Sequence, residues 1–565
     1  MTTIAFRADG PLWSGAYRAA NLLSRRGLQP LWTSRAFSGR TPDGSTATFP
    51  AGTIVVETSA ADLSHSLPSE LDVETVELAT TEGLEALPVR PVRVAVYGGG
   101  GAPYNHAASY GELGFDVDFV FPEDILDGAL ADFDLLAVPG GGARAMQGQL
   151  DPLGEDGCRA IADFVREGGL YLGCCAGAYD ASLVAPSFLT ICPQQQQMRM
   201  INAAVWNKGD EWLGLQSPGV GVLRAKVAGE HPVTYGMPSA FPITHYNGPL
   251  YHMAPGTLDG VPDAVGLLAV AGTEDGFTPS EGFLGVAGDD RLVDRAVVAG
   301  AFNAVAGTYG KGRVVLFGSH PEMGLSLSMD VLDAPARMLA NAAFWQGAAT
   351  KSARPVQAAG DPAVAAADAL DGLAEAGPLI DAVVAAAEAL LARDTTGAGW
   401  LDDALAMSTF GVAARTIWND GLAGFGPAAA AMKARIASIE GRLKQAEDPM
   451  AGRSDYVSAV VLDLDRAINH QTPPDWNIDF GYEGLLQHLE RARIMLVKAN
   501  ANFGLDFEPV SNPYAYLDAS PFHLAVGSYL AAAGVFANCG LLLRLHDERL
   551  KNALLIASNS AEAVH

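Results

Sequence analysis

The chain has 565 residues, 49% hydrophobic and 18% charged, with a formal net charge of −28. At roughly 100–200 residues per domain, that length holds several domains with cores of their own, which sets aside small scaffolds stapled by disulfides or metals. The acidic balance, with no cluster of Lys and Arg, excludes phosphate-backbone binding and anionic membrane surfaces, so neither nucleic acid nor membrane is an expected partner.

Residues 1–91 read as a small α/β region. A β-like run at 3–6 leads into an amphipathic stretch through Tyr17, Ala20, Leu22 and Leu23, then a second strand at 28–32, a β-α-β order. Residues 53–57 are a further strand, and Pro88-Val89-Arg90-Pro91 punctuates the chain. The start lacks the basic segment, apolar run and small-residue cleavage site of a secretory signal. The five cysteines (Cys158, Cys174, Cys175, Cys192 and Cys539) are odd in number and dispersed, without the spacing of tetrahedral zinc. A cytoplasmic location, no metal and no cofactor are expected.

Residues 92–347 alternate short β-branched runs with helical periods, the pattern of an α/β domain with a mostly parallel sheet. Strands at 92–97, 115–121, 135–138, 169–173 and 313–317 are expected. Four of them end in chemistry-bearing turns: Gly98 to Gly101, Pro139-Gly140-Gly141-Gly142, Cys174-Cys175, and Gly318-Ser319-His320-Pro321-Glu322. Ligands of open α/β sheets bind beyond the carboxyl ends of the strands, so these turns are expected to line one crevice.

Residues 348–565 are rich in Ala and Leu and carry helical periods throughout, the expectation being an all-α bundle. Gly377-Pro378 is expected to open one helix, with Leu379, Ile380, Val383, Val384, Ala387, Leu390 and Leu391 as its apolar stripe. Tyr456 to Ile468 makes a second, stopping at Pro473-Pro474, and Leu485 to Leu496 a third. The uncharged stretch 521–543 is long enough to span a bilayer, but His523, Ser528, Asn538 and many small residues mark it as a buried bundle helix.

The strongest local signal is Gly173-Cys174-Cys175-Ala176-Gly177, where an apolar strand turns into a helix. A nucleophile elbow needs small residues two before and two after the nucleophile, because the turn is sharp. That makes Cys175 the candidate nucleophile, at a helix N-terminus where amide dipoles favour a thiolate. Cys174 is expected to point away into the sheet. Alone, the motif reads equally well as two small buried cysteines before a glycine turn. His320, after a later strand, supplies the base that a cysteine nucleophile needs, and Glu322 the group that orients it. An oxyanion hole would take the Ala176 N–H and an N–H from Gly141 or Gly142.

The Cys-elbow and His-Pro-Glu motifs resemble the class I glutamine amidotransferase superfamily, whose triad is Cys, His and Glu. The resemblance is closest to the branch related to the N-terminal domain of biotin-protein ligases, through Tyr97-Gly98-Gly99-Gly100-Gly101-Ala102, Pro139-Gly140-Gly141-Gly142, the run Cys175-Ala176-Gly177-Ala178-Tyr179, and Tyr246-Asn247-Gly248-Pro249. It covers residues 92–347 and implies a flavodoxin-like, mostly parallel sheet, with His245 or Asn247 as substrate contacts. Gly99, Gly100 and Tyr179 are expected to shape the acyl pocket. Biotin ligation itself is not expected, because no Gly-Arg-Gly-Arg-type loop occurs, nor does a G-x-x-x-x-G-K-[ST] loop for ATP. Ala178-Tyr179-Asp180 departs from the glutaminase pattern and puts the substrate, not the triad, in question.

The expected activity is cysteine-dependent hydrolysis or transfer at a C–N amide, with glutamine or a related small molecule as substrate. The alternatives are an ammonia-supplying subunit beside a separate synthetase, or a binding and assembly scaffold. The C-terminal helices would then pack internally, form a homo-oligomer, or dock the synthetase.

Overall fold

The computed structural model describes residues 2–59, 63, 66–67, 71–140, 146–184, 198–208, 219–275, 277–279, 292–323, 333–347, 360–395, 414–451, 455–471, 483–503 and 524–562. The first region holds β1 (Thr2–Phe6), α1 (Trp13–Arg25), β2 (Leu31–Thr33), β3 (Phe37–Arg40), β4 (Thr46–Phe49), β5 (Ile54–Thr58), β6 (Thr75–Leu78), β7 (Thr80–Glu82) and β8 (Ala86–Pro88). β1 and β2 both pair antiparallel with β5, so the expected β-α-β unit has a third strand inserted between its two. The five-stranded sheet runs β6-β1-β5-β2-β8, and β4-β3-β7 form a separate small sheet.

The second region holds β9 (Arg93–Tyr97), α2 (Pro103–Glu112), β10 (Asp116–Val120), α3 (Pro122–Leu126), β11 (Leu135–Val138), α4 (Met146–Glu167), β12 (Leu170–Cys174) and α5 (Ala176–Ala181). It continues through β13 (Ala203–Val205), β14 (Gly219–Val227), β15 (Ala240–Tyr246), β16 (Tyr251–Met253), β17 (Val265–Thr273), β18 (Thr278–Pro279), α6 (Leu292–Ala299), β19 (Phe302–Tyr309), β20 (Gly312–Phe317) and α7 (Arg337–Gly347). β10-β9-β11-β12-β20 are parallel neighbours, the doubly wound order in which the chain reverses direction across the sheet between β9 and β11. Beyond β20 the sheet continues antiparallel through β19, β17, β14 and β15. β9, β11 and β12 are almost wholly apolar because helices cover both faces, the pattern of buried parallel strands.

The third region is α8 (Pro362–Leu391), α9 (Ala414–Ala451), α10 (Asp455–Asn469), α11 (Leu485–Ala501) and α12 (Leu524–Glu562). α8 does not begin at Gly377-Pro378. It starts at an Asp361 cap, whose Oδ1 accepts the Ala363 N–H at 2.9 Å, and Pro378 lies inside it. Ala365, Ala369, Leu373 and Ala376 bury the same face as Ile380 and Val383, so packing carries the helix through a proline that forfeits one backbone bond. Among the described residues, no helix is long and apolar enough to cross a membrane.

One continuous core joins all three regions. Tyr17 stacks on Phe344 with ring centroids 5.0 Å apart, and Phe344 also meets Trp32 and Phe115. α2 bridges the sheet to the helices: its Tyr104 hydroxyl lies 2.7 Å from His488 Nε2 and accepts the Glu483 N–H at 2.9 Å, and Glu112 is paired with Arg544. Arg337, 4% exposed, is the equivalent knot for the first region. It donates to the carbonyls of Ala8 at 2.7 Å, Gly236 at 3.1 Å and Gly52 at 3.2 Å. Arg337→Met keeps the volume but removes the guanidinium from all three carbonyls, of which, among the described residues, only Gly52 O keeps another donor, the Tyr17 hydroxyl, and is expected to destabilise the chain by about 3 kcal/mol. Urea unfolding checks this, and an unchanged midpoint would mean that water or repacking replaces the guanidinium.

Candidate active site

The elbow is drawn as the sequence requires. Cys175 has φ 49° and ψ −109°, a left-handed conformation that costs a side-chain-bearing residue about 1–3 kcal/mol and persists only where the surroundings over-determine it. Those surroundings are backbone. The Cys175 N–H donates to Phe317 O at 2.8 Å and the Gly177 N–H to Pro139 O at 3.2 Å, so the turn is tied to β20 on one side and β11 on the other. A methyl at Gly173 would lie 2.4 Å from Gly177 O, and one at Gly177 would lie 2.4 Å from Val138 O. Small residues flank Cys175 because the crossing is too close for anything larger.

The turn after β20 brings His320 and Glu322 to the same place. The His320 N–H donates to Thr244 O at 2.8 Å and the Gly318 N–H to Asn303 O at 2.7 Å, which fix the loop against β15 and β19. His320 Nδ1 lies 2.7 Å from Glu322 Oε1. A methyl at Gly140 would sit 2.6 Å from both Cys175 Cβ and His320 Cε1, so the thiol and the imidazole share the space a glycine leaves. Cys175, His320 and Glu322 are all buried.

The Cys175 Sγ donates to Tyr246 O at 3.2 Å, and His320 Nε2 is buried with no hydrogen-bond partner. Burial acts to lower the His320 pKa, but the Glu322 carboxylate and Cys175 outweigh it and push the imidazole up to about 10. Burial likewise acts to raise Glu322, and the imidazoles of His106 and His320 bring it down to about 2. The Glu322 contribution to stability is whole above its ordinary value of 4.5 and is lost as pH falls through about 2. The His320 contribution is whole below 6.5 and is lost as pH rises through about 10. The stability difference between wild type and Glu322→Gln is therefore expected to be largest between about pH 4.5 and 6.5. Urea unfolding across pH tests it, and a difference that grows toward alkaline pH would contradict this charge assignment.

The remaining expected residues fall in several places. Ala176 follows the thiol, and among the described residues its N–H has no backbone acceptor. Gly141 and Gly142 lie outside the described residues, as do Gln194 to Gln197. Gly99 and Gly100 are buried in the loop after β9, where a methyl at Gly99 would strike the Tyr97 ring. That loop meets the β11 turn through the Ala102 N–H, which donates to Gly140 O at 2.8 Å. The Tyr179 hydroxyl reaches Asn247 O at 3.4 Å, and Asn247, with φ 52°, keeps Oδ1 buried without a partner. His245 is fully buried, its Nδ1 2.9 Å from Ser319 Oγ, and burial holds its pKa down to about 3.

Sequence reasoning missed His106. On α2, fully buried, it places Nε2 3.3 Å from Cys174 Sγ and 3.8 Å from Glu322 Oε2. Cys174 does point away from the thiol of Cys175, into this cluster. Donor atoms of His106, Cys174 and Glu322 lie within 4.8 Å of one another, the described residues' closest approach to a metal-binding set. The one available signal was Asn105-His106, four residues after the glycine run ends at Gly101.

Residues 127–186 match the family model described as biotin-protein ligase, N terminal; the stretch includes β11, α4, β12 and the Cys175 elbow. No curated protein sequence matches the chain. Among solved structures, a candidate GMP synthase component from Thermoplasma acidophilum is 15% identical, covering 46% of this chain and 95% of that one, with a TM-score of 0.29. A glutamine amidotransferase from Thermotoga maritima is 14% identical over 42% of this chain and 78% of that one, with a TM-score of 0.25. PurLQS from Thermotoga maritima is 17% identical over 44% and 97%, with a TM-score of 0.26. Through residues 127–186 the central region is similar to the N-terminal domain of biotin-protein ligases, the branch of the class I glutamine amidotransferase-like superfamily that its elbow and His-Pro-Glu turn resemble.

Proposed function

We propose that the chain is a cysteine-dependent enzyme acting on a C–N amide, glutamine or a related small molecule, with Cys175 as nucleophile, His320 as acid and base, and Glu322 as the group that orients His320. The observation that carries this reading is the left-handed Cys175 at a strand-to-helix turn, separated only by Gly140 from an imidazole bonded to a buried carboxylate. With the pair's single proton held on His320, whose pKa Glu322 and Cys175 raise to about 10, the Cys175 thiolate attacks the carbonyl carbon. Negative charge then gathers on the carbonyl oxygen, where the Ala176 N–H and an N–H of Gly141 or Gly142 receive it. His320 returns the proton to the leaving amine, and the thioester forms as the C–N bond breaks. Water, deprotonated by His320, cleaves the thioester and restores the thiol. Tyr179 meets the Asn247 backbone, and the buried Oδ1 of Asn247 is an acceptor that suits a substrate N–H.

One observation favours a second form of the same reading. Cys175 Sγ lies 3.2 Å from Tyr246 O as well as beside His320, a contact that a substrate or a partner would replace. An ammonia supplier switched on by a separate synthetase would have this property, and the C-terminal helices are where we propose such a partner would dock. The test is site-mapped alkylation of Cys175 by mass spectrometry in wild type and His320→Ala, which needs no substrate. Equal, slow labelling of both would sink the self-sufficient enzyme.

A further inference from the structure

The proposed chemistry uses one oxygen of Glu322 and leaves the other, Oε2, buried and without a hydrogen-bond partner. A carboxylate in that position is costly unless its environment compensates it, and a carboxylate free to rotate cannot hold an imidazole in one orientation. What faces Oε2 is His106. Its Nε2 lies 3.8 Å away, and the same nitrogen is 3.3 Å from Cys174 Sγ. Neither residue is near His320 or Glu322 in sequence. His106 comes from α2, beyond the glycine loop of β9, and Cys174 is the last residue of β12.

We propose that His106, backed by Cys174, is a positioning residue for the reacting set: a second histidine that faces the free oxygen of Glu322 and keeps the other oxygen on His320 Nδ1. The inference rests on reading Cys175, His320 and Glu322 as that set. Burial lowers the His106 pKa against the opposing pull of Glu322, and in either charge state the ring can offer an N–H at Nε2. A neutral ring has one N–H. Placed on Nε2 it points toward the carboxylate, whereas on Nδ1 it would be a buried donor with no acceptor, since Nδ1 has no partner. The Cys174 thiol completes the floor, kept protonated because burial and then Glu322 push its pKa up. The other titratable groups around this carboxylate and its imidazole are Tyr110 on α2, His245 on β15 and Cys175 at the elbow.

A metal centre is the other chemistry these three donors suggest. Zinc sites take four ligands, or three with an open position for water. Here no fourth His, Cys, Asp or Glu donor joins the cluster among the described residues, and all three members are buried. A hydrogen-bonded array is the better account of the contacts.

The experiment is the rate of Cys175 alkylation at neutral pH in the full chain, for wild type, His106→Ala, His106→Gln and His320→Ala, with thermal melting of each. Groups that orient metal ligands are typically worth about 10–100-fold, and on the same scale His106→Ala is expected to slow Cys175 labelling about tenfold. His106→Gln, whose amide offers an N–H at similar reach, is expected to recover most of it. If His106→Ala melts lower but labels at the wild-type rate, or if His106→Gln rescues nothing while melting like wild type, the positioning role is overturned. Should His320→Ala itself leave Cys175 labelling unchanged, the failure belongs to the triad reading. If only the His106 variants are silent, the triad stands and this inference alone falls.

Discussion

His320→Ala is expected to lower the rate at which Cys175 reacts with iodoacetamide at neutral pH by roughly thirtyfold, because an unassisted thiol is only a few per cent thiolate there. The charge that makes the difference is already visible in His320, which Glu322 and Cys175 together lift to about 10 against the opposing pull of burial. Without the imidazole, the Cys175 proton has no acceptor better than Tyr246 O, which binds the thiol and not the thiolate. The chain supplies its own controls: Cys158, Cys174 and Cys539 are buried, and burial pushes the Cys158 thiol up to about 12. They should remain unlabelled in both proteins under conditions that modify Cys175. Labelling of all four at similar rates would mean local unfolding, and an unchanged Cys175 rate would remove His320 from the chemistry.

The second large effect is expected from a single methyl group. Gly248→Ala would place Cβ 1.8 Å from Gly318 O and 3.3 Å from Cys175 Cα. The reciprocal methyl at Gly318 would lie 1.8 Å from Pro249 O, so the two loops pass backbone against backbone. No side chain can swing aside to relieve this. One loop must move, carrying with it either Tyr246 O from the thiol or His320 from the elbow. Gly248→Ala is expected to cost about 3 kcal/mol of stability and to slow Cys175 alkylation as strongly as His320→Ala does. The control is Gly256→Ala, where φ is positive but nothing lies within 4 Å of the added methyl. If both variants unfold at the same denaturant concentration, backbone crowding at the site is not what holds it together.

Much of the central sheet was legible because parallel strands buried on both faces are short runs of Val, Leu, Ala and Tyr that end in glycine. The five parallel strands and the elbow follow from that pattern. The antiparallel extension through β14, β15 and β17 does not, since those strands alternate weakly and carry Gly, as in Gly219 to Val227, or Pro, as in Ala240 to Tyr246. α8 was misread at Pro378 because a proline inside a helix is locally a start signal, and only packing against its neighbours overrides it. The turns that carry Cys175, His320 and Glu322, and their meeting at one end of the sheet, were readable from the sequence. His106 was not, because its role depends on where α2 lies against β12, a tertiary fact with no sequence period. His245 was readable as a histidine beside the loop, but its burial against Ser319 was not.

The last consequence concerns time. Arg18 on α1 donates to Glu548 at 2.5 Å and Asn552 at 3.2 Å, and Arg26 to Leu555 O at 2.8 Å, partners that follow some 530 residues later in the chain. At ordinary rates of translation that interval is on the order of a minute, during which one face of α1 has been made and its partners have not. Nor does Arg337 exist when the carbonyls of Ala8 and Gly52 first emerge. The opening segment must therefore wait, with Trp13, Tyr17 and Trp32 unsealed, and the nascent chain is a natural client for whatever shields apolar surface at the ribosome.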